Sequence, residues 1–250
     1  RLSRWDLEQY GYGMAMINWL VHPNHYRGGK IVGKLLNETI DYLRGNDIKF
    51  VSAHISGEDL ASLHMLEEIG FRYYQTTVYP IAKAMDMPCK TDSRVRLMRE
   101  SDLEAVVQIA KCSQFRYGHY YCDIGFDKSA VDGMYEKWIR TSWKNKEPIA
   151  VIEHQGNIAG YFAFNMDENL SLGTKYRYGV MRSLAMDSAV RGKGLGMILF
   201  RSVIALIAEQ GGEYIASEYP SRNHASAYLH FKNHFFPVHE KVLLHLWLRS

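Results

Sequence analysis

The chain has 250 residues, 47% hydrophobic and 23% charged, with a net charge of +3. That balance suits a globular fold with a sizeable core and excludes collagen-like, disordered and strongly polybasic chains. The charge is too small to argue for nucleic acid, and no apolar run is long enough to span a bilayer.

Taken in chain order, the first half reads as a strand at 14–21, a basic Gly-bearing turn at Arg27-Gly28-Gly29-Lys30, and a helix at 31–43. A strand at 48–54, a helix at Leu60–Ile69 and a closing strand at 71–79 follow. A polar stretch at 84–93, interrupted by Pro88, marks a boundary. Beyond it come a strand at 94–98, a helix at 102–110 with Ser101 and Asp102 as capping residues, and a helix at 131–142. Strands at 149–153 and 158–165 form a hairpin around His154-Gln155-Gly156-Asn157. The last stretch repeats the first: strand 180–186, glycine loop 191–196, helix 195–208, strand 213–217, helix 224–233 and strand 241–248.

That repetition has a fixed offset. Arg27 falls on Arg191, Leu35 on Leu199, Ile40 on Ile204 and Phe71 on Phe235, each 164 residues apart and without a gap. In the first copy Lys30 stands at the place of Gly194, Val32 at that of Gly196, Asp59 at that of Asn223, and Leu66 at that of His230. Side chains thus occupy positions where backbone would meet phosphate, so the first copy reads as structural, while Gly28, Gly29 and Gly33 leave some binding open there.

The loop Arg191-Gly192-Lys193-Gly194-Leu195-Gly196 joins an apolar strand to a long apolar helix. Glycine lets the backbone approach a ligand, and the first helical turn offers free N–H groups and the positive end of the helix dipole. Such an arrangement holds a pyrophosphate. The segment 184–200 resembles the acetyl-CoA signature of the GNAT acetyltransferases, a strand, then Q/R-x-x-G-x-G/A, then a helix.

The resemblance implies an α/β (α+β) GNAT fold, with a mixed, mostly antiparallel central sheet flanked by helices. It implies a degenerate half-GNAT lobe at 1–90 and a complete acetyltransferase domain at 91–250. Acetyl-CoA would be the co-substrate, its pyrophosphate on residues 191–196 and its pantetheine arm along Leu184, Ala185 and Met186, with Asn223 touching that arm. A second resemblance, to the dTDP-fucosamine acetyltransferases, rests on Trp5-Asp6, Tyr10-Gly11-Tyr12, Leu66-Glu67-Glu68-Ile69-Gly70-Phe71, Ser113-Gln114-Phe115-Arg116, and Tyr135-Glu136-Lys137-Trp138-Ile139. It implies a nucleotide-linked amino sugar as acceptor.

The aromatic and basic segment 115–121 is the candidate acceptor site, with Phe115, Tyr117 and Tyr120 for stacking and Arg116 for a diphosphate. The family's acid, a Tyr seven residues after the Asn, falls here on His230, whose ordinary pKa of about 6.5 suits proton donation. Tyr228 is the alternative acid, and Glu218, at the end of a strand, the candidate base. His224, His230, His234 and His239 lack metal-site spacing, and no metal is expected. Cys89, Cys112 and Cys122 lack C-x-x-C spacing and read as reduced thiols of a cytoplasmic protein. A homodimer is compatible with this reading. Two rivals stand beside it: a GNAT enzyme for an amino acid, polyamine or antibiotic, and a non-catalytic acyl-CoA sensor.

Overall fold

The computed structural model describes residues 4–18, 20–21, 26–84, 89–111 and 115–248. The first half runs α1 (Arg4–Tyr10), β1 (Gly13–Ile17), α2 (Tyr26–Gly45), β2 (Ile48–Ser56), α3 (Leu60–Ile69) and β3 (Arg72–Lys83). Then come β4 (Val95–Leu97), α4 (Leu103–Lys111), α5 (His119–Cys122), α6 (Lys128–Lys144), β5 (Ile149–His154), β6 (Asn157–Asp167) and α7 (Glu168–Leu172). The chain ends with β7 (Tyr178–Met186), α8 (Leu195–Glu209), β8 (Tyr214–Ala216), β9 (Tyr219–Pro220), α9 (His224–Lys232) and β10 (Phe236–Trp247).

One sheet joins both halves in the order β1-β2-β10-β3-β8-β7-β6-β5-β4, with β9 beside β3. The pairs β1–β2 and β7–β8 are parallel and the other pairs antiparallel. Helix spacing explains the layers. Val32, Leu36, Ile40 and Leu43 form one buried stripe of α2, and Leu36, Ile40 and Leu43 pack with Val51, Ala53 and Ile55 of β2. The buried face of α8, including Leu199, Phe200, Val203 and Ile207, packs on Ile152, Phe162, Phe164 and Ile215. Helices α4 and α6 pack on Val151, Tyr161, Ala163 and Ala185, whose neighbours along β5 and β6 face α8, so these helices cover the opposite side.

The repeat is visible in the pairing itself. Met14↔Phe50, Ala15↔Val51 and Met16↔Ser52 in the first copy become Tyr178↔Tyr214, Gly179↔Ile215 and Val180↔Ala216 at the same offset. The closing strands coincide too, β3 falling on β10 end to end, but they are exchanged. β3 lies against β8, β10 lies against β2, and the two run side by side.

Two expectations need correction. The basic turn at 27–30 is the first turn of α2, not a loop. In the second copy the loop is held out of the helix by left-handed backbone at Gly192 and Gly194. Lys30 stands where Gly194 would be, and a side chain resists that conformation by roughly 1–2 kcal/mol, so the chain stays helical. The last strand begins at Phe236 rather than 241, because its pairing with β3 extends over Pro237 to Ile81 and Pro80. The short helices α1, α5 and α7 carry too little periodicity to show in the sequence.

Candidate cofactor and acceptor site

β7 pairs with β8 only from Tyr178 to Val180, but with β6 as far as Met186. Beyond Val180 the two parallel strands part, and the edge of β7 facing that gap has no strand partner among the described residues. Its amide and carbonyl groups are available to an extended arm. Leu184 and Met186 lie on this stretch, whereas the Ala185 side chain is buried against the α4–α6 side.

After β7, Asp187 accepts from the Ala189 amide at 2.9 Å and turns the chain. Gly192 and Gly194 adopt φ of 78° and 76°, and the space a Cβ would take at either is open. α8 starts at Leu195, and the Met197 and Ile198 amides bond back to the Gly194 carbonyl. The Leu195 and Gly196 amides precede any intrahelical acceptor, so they point outward. Arg191 and Lys193 are exposed on either side. The cradle therefore fits a pyrophosphate: open backbone, a helix N-terminus and two cations.

Ser217 and Glu218 occupy the gap where β8 leaves β7. As neighbours in an extended segment they face opposite sides of the sheet. Ser217 donates to His230 Nε2 at 2.8 Å, and His230 Nδ1–H donates to the Ser226 carbonyl at 2.8 Å. The ring is 4% exposed, packed against Tyr219, Phe200 and Phe235. Burial drives its pKa down to about 4, only partly opposed by the Ser226 bond. The ordinary pKa expected of His230 is thus not met: the ring is neutral near pH 7 and carries no acidic proton to give. The same positions in the first copy hold Leu66 and Ala53, both fully buried. The fold accepts apolar groups there, so the polar pair is not a packing necessity.

Tyr228 lies on the outward face of α9, 56% exposed, with the Lys232 ammonium 5.7 Å from its ring. Asn223 caps α9 through its Oδ1. On the other side of the sheet Tyr79 lies opposite the exposed Glu218, and burial first, then that carboxylate, holds the phenol above its usual range.

The acceptor segment divides. Phe115 stacks on Tyr135 at 4.1 Å, and Tyr120 packs between Tyr10 and Phe126, each half-buried. Arg116 is exposed and reaches its neighbour, Nη2 to the Tyr117 hydroxyl at 3.1 Å. Sequence reading missed what α5 brings in: a hydrogen-bonded chain Asp123–His245–His119, 2.8 Å at each step. It also missed His54, which the repeat offset would have found, since His54 falls on Glu218. Among the described residues no group of three or more His, Cys, Asp or Glu is arranged to hold a metal, and no helix is long and apolar enough to cross a membrane. Cys89 and Cys122 are free thiols, while Cys112 lies outside the described residues.

Residues 112–235 match the model of the acetyltransferase (GNAT) family. The chain is built on the GNAT acetyltransferase fold. A GCN5-related N-acetyltransferase from Sphaerobacter thermophilus aligns with 89% of this chain and 68% of its own, at TM-score 0.61 and 15% identity. A tandem GNAT protein from the clavulanic acid biosynthesis pathway aligns with 92% of this chain and 74% of its own, at TM-score 0.58 and 14% identity. A GCN5-related N-acetyltransferase from Kribbella flavida gives 87%, 76%, 0.55 and 12%. Comparison with curated protein sequences finds no match. At these identities the GNAT likeness speaks for the fold, and acetyl-CoA is the co-substrate of that family.

Proposed function

We propose that the chain transfers an acetyl group from acetyl-CoA to a primary amine. The observation that carries this is the gap between β7 and β8, with the glycine cradle at one end and Ser217 and Glu218 at the other. Bound there, acetyl-CoA supplies an activated thioester. Residues 191–196 hold its diphosphate, and the free edge of Leu184 to Met186 orients the arm.

Glu218 takes the proton of the incoming ammonium, with Tyr79 opposite it on its side of the sheet. The proton for the departing thiolate comes from the opposite side. Tyr219 is the donor: it is half-buried, burial raises its pKa, and its ring rests 4.8 Å from His230. His230 then acts as a positioning residue rather than as the acid. An amine entering on one face and a thiolate leaving on the other keeps base and acid from neutralising each other.

For the acceptor, the reading is a nucleotide-linked amino sugar, supported by the exposed Arg116–Tyr117 pair and the resemblance to dTDP-sugar acetyltransferases. Residues 1–90 are read as a degenerate half-GNAT lobe walling the cleft, residues 91–250 as the acetyltransferase unit, and the protein as cytoplasmic and able to form a homodimer. The test is acetyl-CoA consumption across nucleotide-linked amino sugars, free amino acids and polyamines. Faster turnover of amino acids or polyamines than of any nucleotide sugar would sink the acceptor assignment.

A further inference from the structure

We infer that the sheet face beneath α5 carries a subsite for a hydroxylated, non-reacting end of the acceptor, built from His54, Gln75 and His119. The word acceptor rests on the acetyl-transfer reading; the subsite itself rests on the groups left without partners.

The chain behind His119 fixes its tautomer. Asp123 accepts from Trp247 Nε1–H at 3.0 Å and from the Gly125 amide at 2.8 Å. Burial alone would raise its pKa, and the bonds from His245, Gly125 and Trp247 outweigh it, so it stays a carboxylate. His245 Nδ1 therefore carries the hydrogen toward Asp123, and its Nε2 accepts. His119 Nδ1 then donates to His245, which leaves His119 Nε2 as a bare lone pair. No hydrogen bond to that nitrogen is present among the described residues. Burial lowers the His119 pKa further, so the ring stays neutral.

Two more polar atoms on this side of the sheet lack partners. His54 lies edge-on to His119, rings 6.0 Å apart, and its Nε2 is buried without a partner. Gln75 is 5% exposed and spends its Nε2 on the Thr77 hydroxyl at 2.7 Å, leaving Oε1 buried and unpaired. Leu243 pairs with His54 on one side and with Gln75 on the other, so both side chains share its face, about 10 Å apart by strand spacing. From Gln75 the same face of β3 continues through Thr77 to Tyr79, which lies opposite Glu218, roughly 13 Å along the strand.

The chemistry of these atoms selects the ligand. His119 Nε2 and Gln75 Oε1 only accept, whereas His54 Nε2 donates or accepts by tautomer. A phosphate or carboxylate brings acceptors alone and leaves the first two unmet. An alkyl group leaves all three buried and unsatisfied. Hydroxyls both donate and accept, so a polyhydroxy ring satisfies the set.

Two measurements on the full chain test this. The first compares kcat/KM for D-galactosamine and for cyclohexylamine, an amine of similar ring size without hydroxyls. Gln75→Leu and His119→Phe should each lower the galactosamine-to-cyclohexylamine ratio by about tenfold, with Gln75→Met as the shape-conserving variant and calorimetric acetyl-CoA binding as the check on folding. A ratio within about twofold of wild type, with acetyl-CoA still bound, overturns the subsite. The second follows the imidazole resonances of His54 and His119 by NMR as D-galactosamine is added without acetyl-CoA. Saturable shifts, lost in Gln75→Leu, support the subsite even if neither amine turns over, in which case the acetyl-transfer reading fails alone. No shift at about 10 mM overturns the subsite whatever the activity.

Discussion

Asp59 and Asn223, 164 residues apart, cap their helices through the same bond: each side chain accepts from the amide three residues on, Ser62 at 3.0 Å and Ser226 at 3.1 Å. The local chemistry of the repeat has thus been kept while the charge differs. Asp59 belongs to the copy without a glycine cradle, and Asn223 to the copy that has one.

That contrast separates capping from binding. Asn223→Asp should keep the cap and hold Tm within about 2 °C, because either side chain caps well. It should weaken acetyl-CoA binding, since a carboxylate replaces the amide that the GNAT resemblance places on the pantetheine arm. Asn223→Ala should cost about 1 kcal/mol of stability as well. Calorimetry and thermal melts read the two effects apart; unchanged affinity in the Asp variant removes Asn223 from the cofactor site.

The cradle makes a second contrast. Gly194→Glu places a carboxylate where phosphate would lie and forces a side chain into left-handed backbone, so acetyl-CoA affinity should be lost. Gly33 lies inside α2 with open space at its Cβ position. Gly33→Ala should therefore stabilise the fold by about 0.5–1 kcal/mol and leave affinity unchanged. Equal losses of affinity in the two variants would assign a cofactor role to the first copy.

The repeat and the cradle were legible because both are local. Glycines at 192, 194 and 196 mark a turn and a close approach, and the 164-residue offset is a matter of pattern. The exchange of β3 and β10 was not legible: the two strands fall on each other in the repeat, and pattern alone does not say which neighbour each chooses. The neutral state of His230 was also hidden, since its spacing from Asn223 predicts a place on α9 but not that Ser217, Phe200 and Phe235 enclose it. The Asp123–His245–His119 chain joins residues more than 120 positions apart, beyond any local motif.

The exchange has a consequence for the separated halves. Residues 91–250 retain β10 but lose β2 and β3, its two neighbours, and leave an edge of β8 open. Because β10 is the equivalent of β3, it can cover β8 of a second copy. The fragment should run as a dimer or larger species in light scattering. A monomer with the full chain's cooperative melt would show that β10 closes on its own β8.

Buried histidines set the acid limit of stability. Burial lowers His54 and His230 to about 4, against about 6.5 in the unfolded chain. Between those values the unfolded chain binds protons that the fold refuses. Stability is therefore fully present above pH 6.5 and is lost as pH falls toward 4. Each ring accounts for roughly 3 kcal/mol over that window. Urea midpoints should fall steeply from pH 6.5 to 4.5, and the slope should flatten in His54→Gln and His230→Gln. A flat midpoint in the wild type would contradict the neutral, enclosed rings.

Three side chains near the thiolate side can be told apart by kinetics. Tyr219 is half-buried with a phenol that burial keeps protonated, and it faces the same side as Ser217, two residues away. His230 is neutral and both nitrogens are engaged, so its loss disturbs the packing of Tyr219 and the orientation of Ser217 rather than removing a proton source. Tyr228 points outward, two residues from His230 and so about 200° around the helix. Tyr219→Phe should lower kcat by about a hundredfold with acetyl-CoA affinity retained, the size expected for losing a general acid. His230→Leu, which copies Leu66 of the first half, should keep the fold and lower kcat less, without displacing the acidic limb of the pH–rate profile. Tyr228→Phe should stay near wild type. If His230→Leu instead abolishes kcat while Tyr219→Phe retains it, the proton passes through the histidine, and the Ser217–His230 pair is the acid-side machinery.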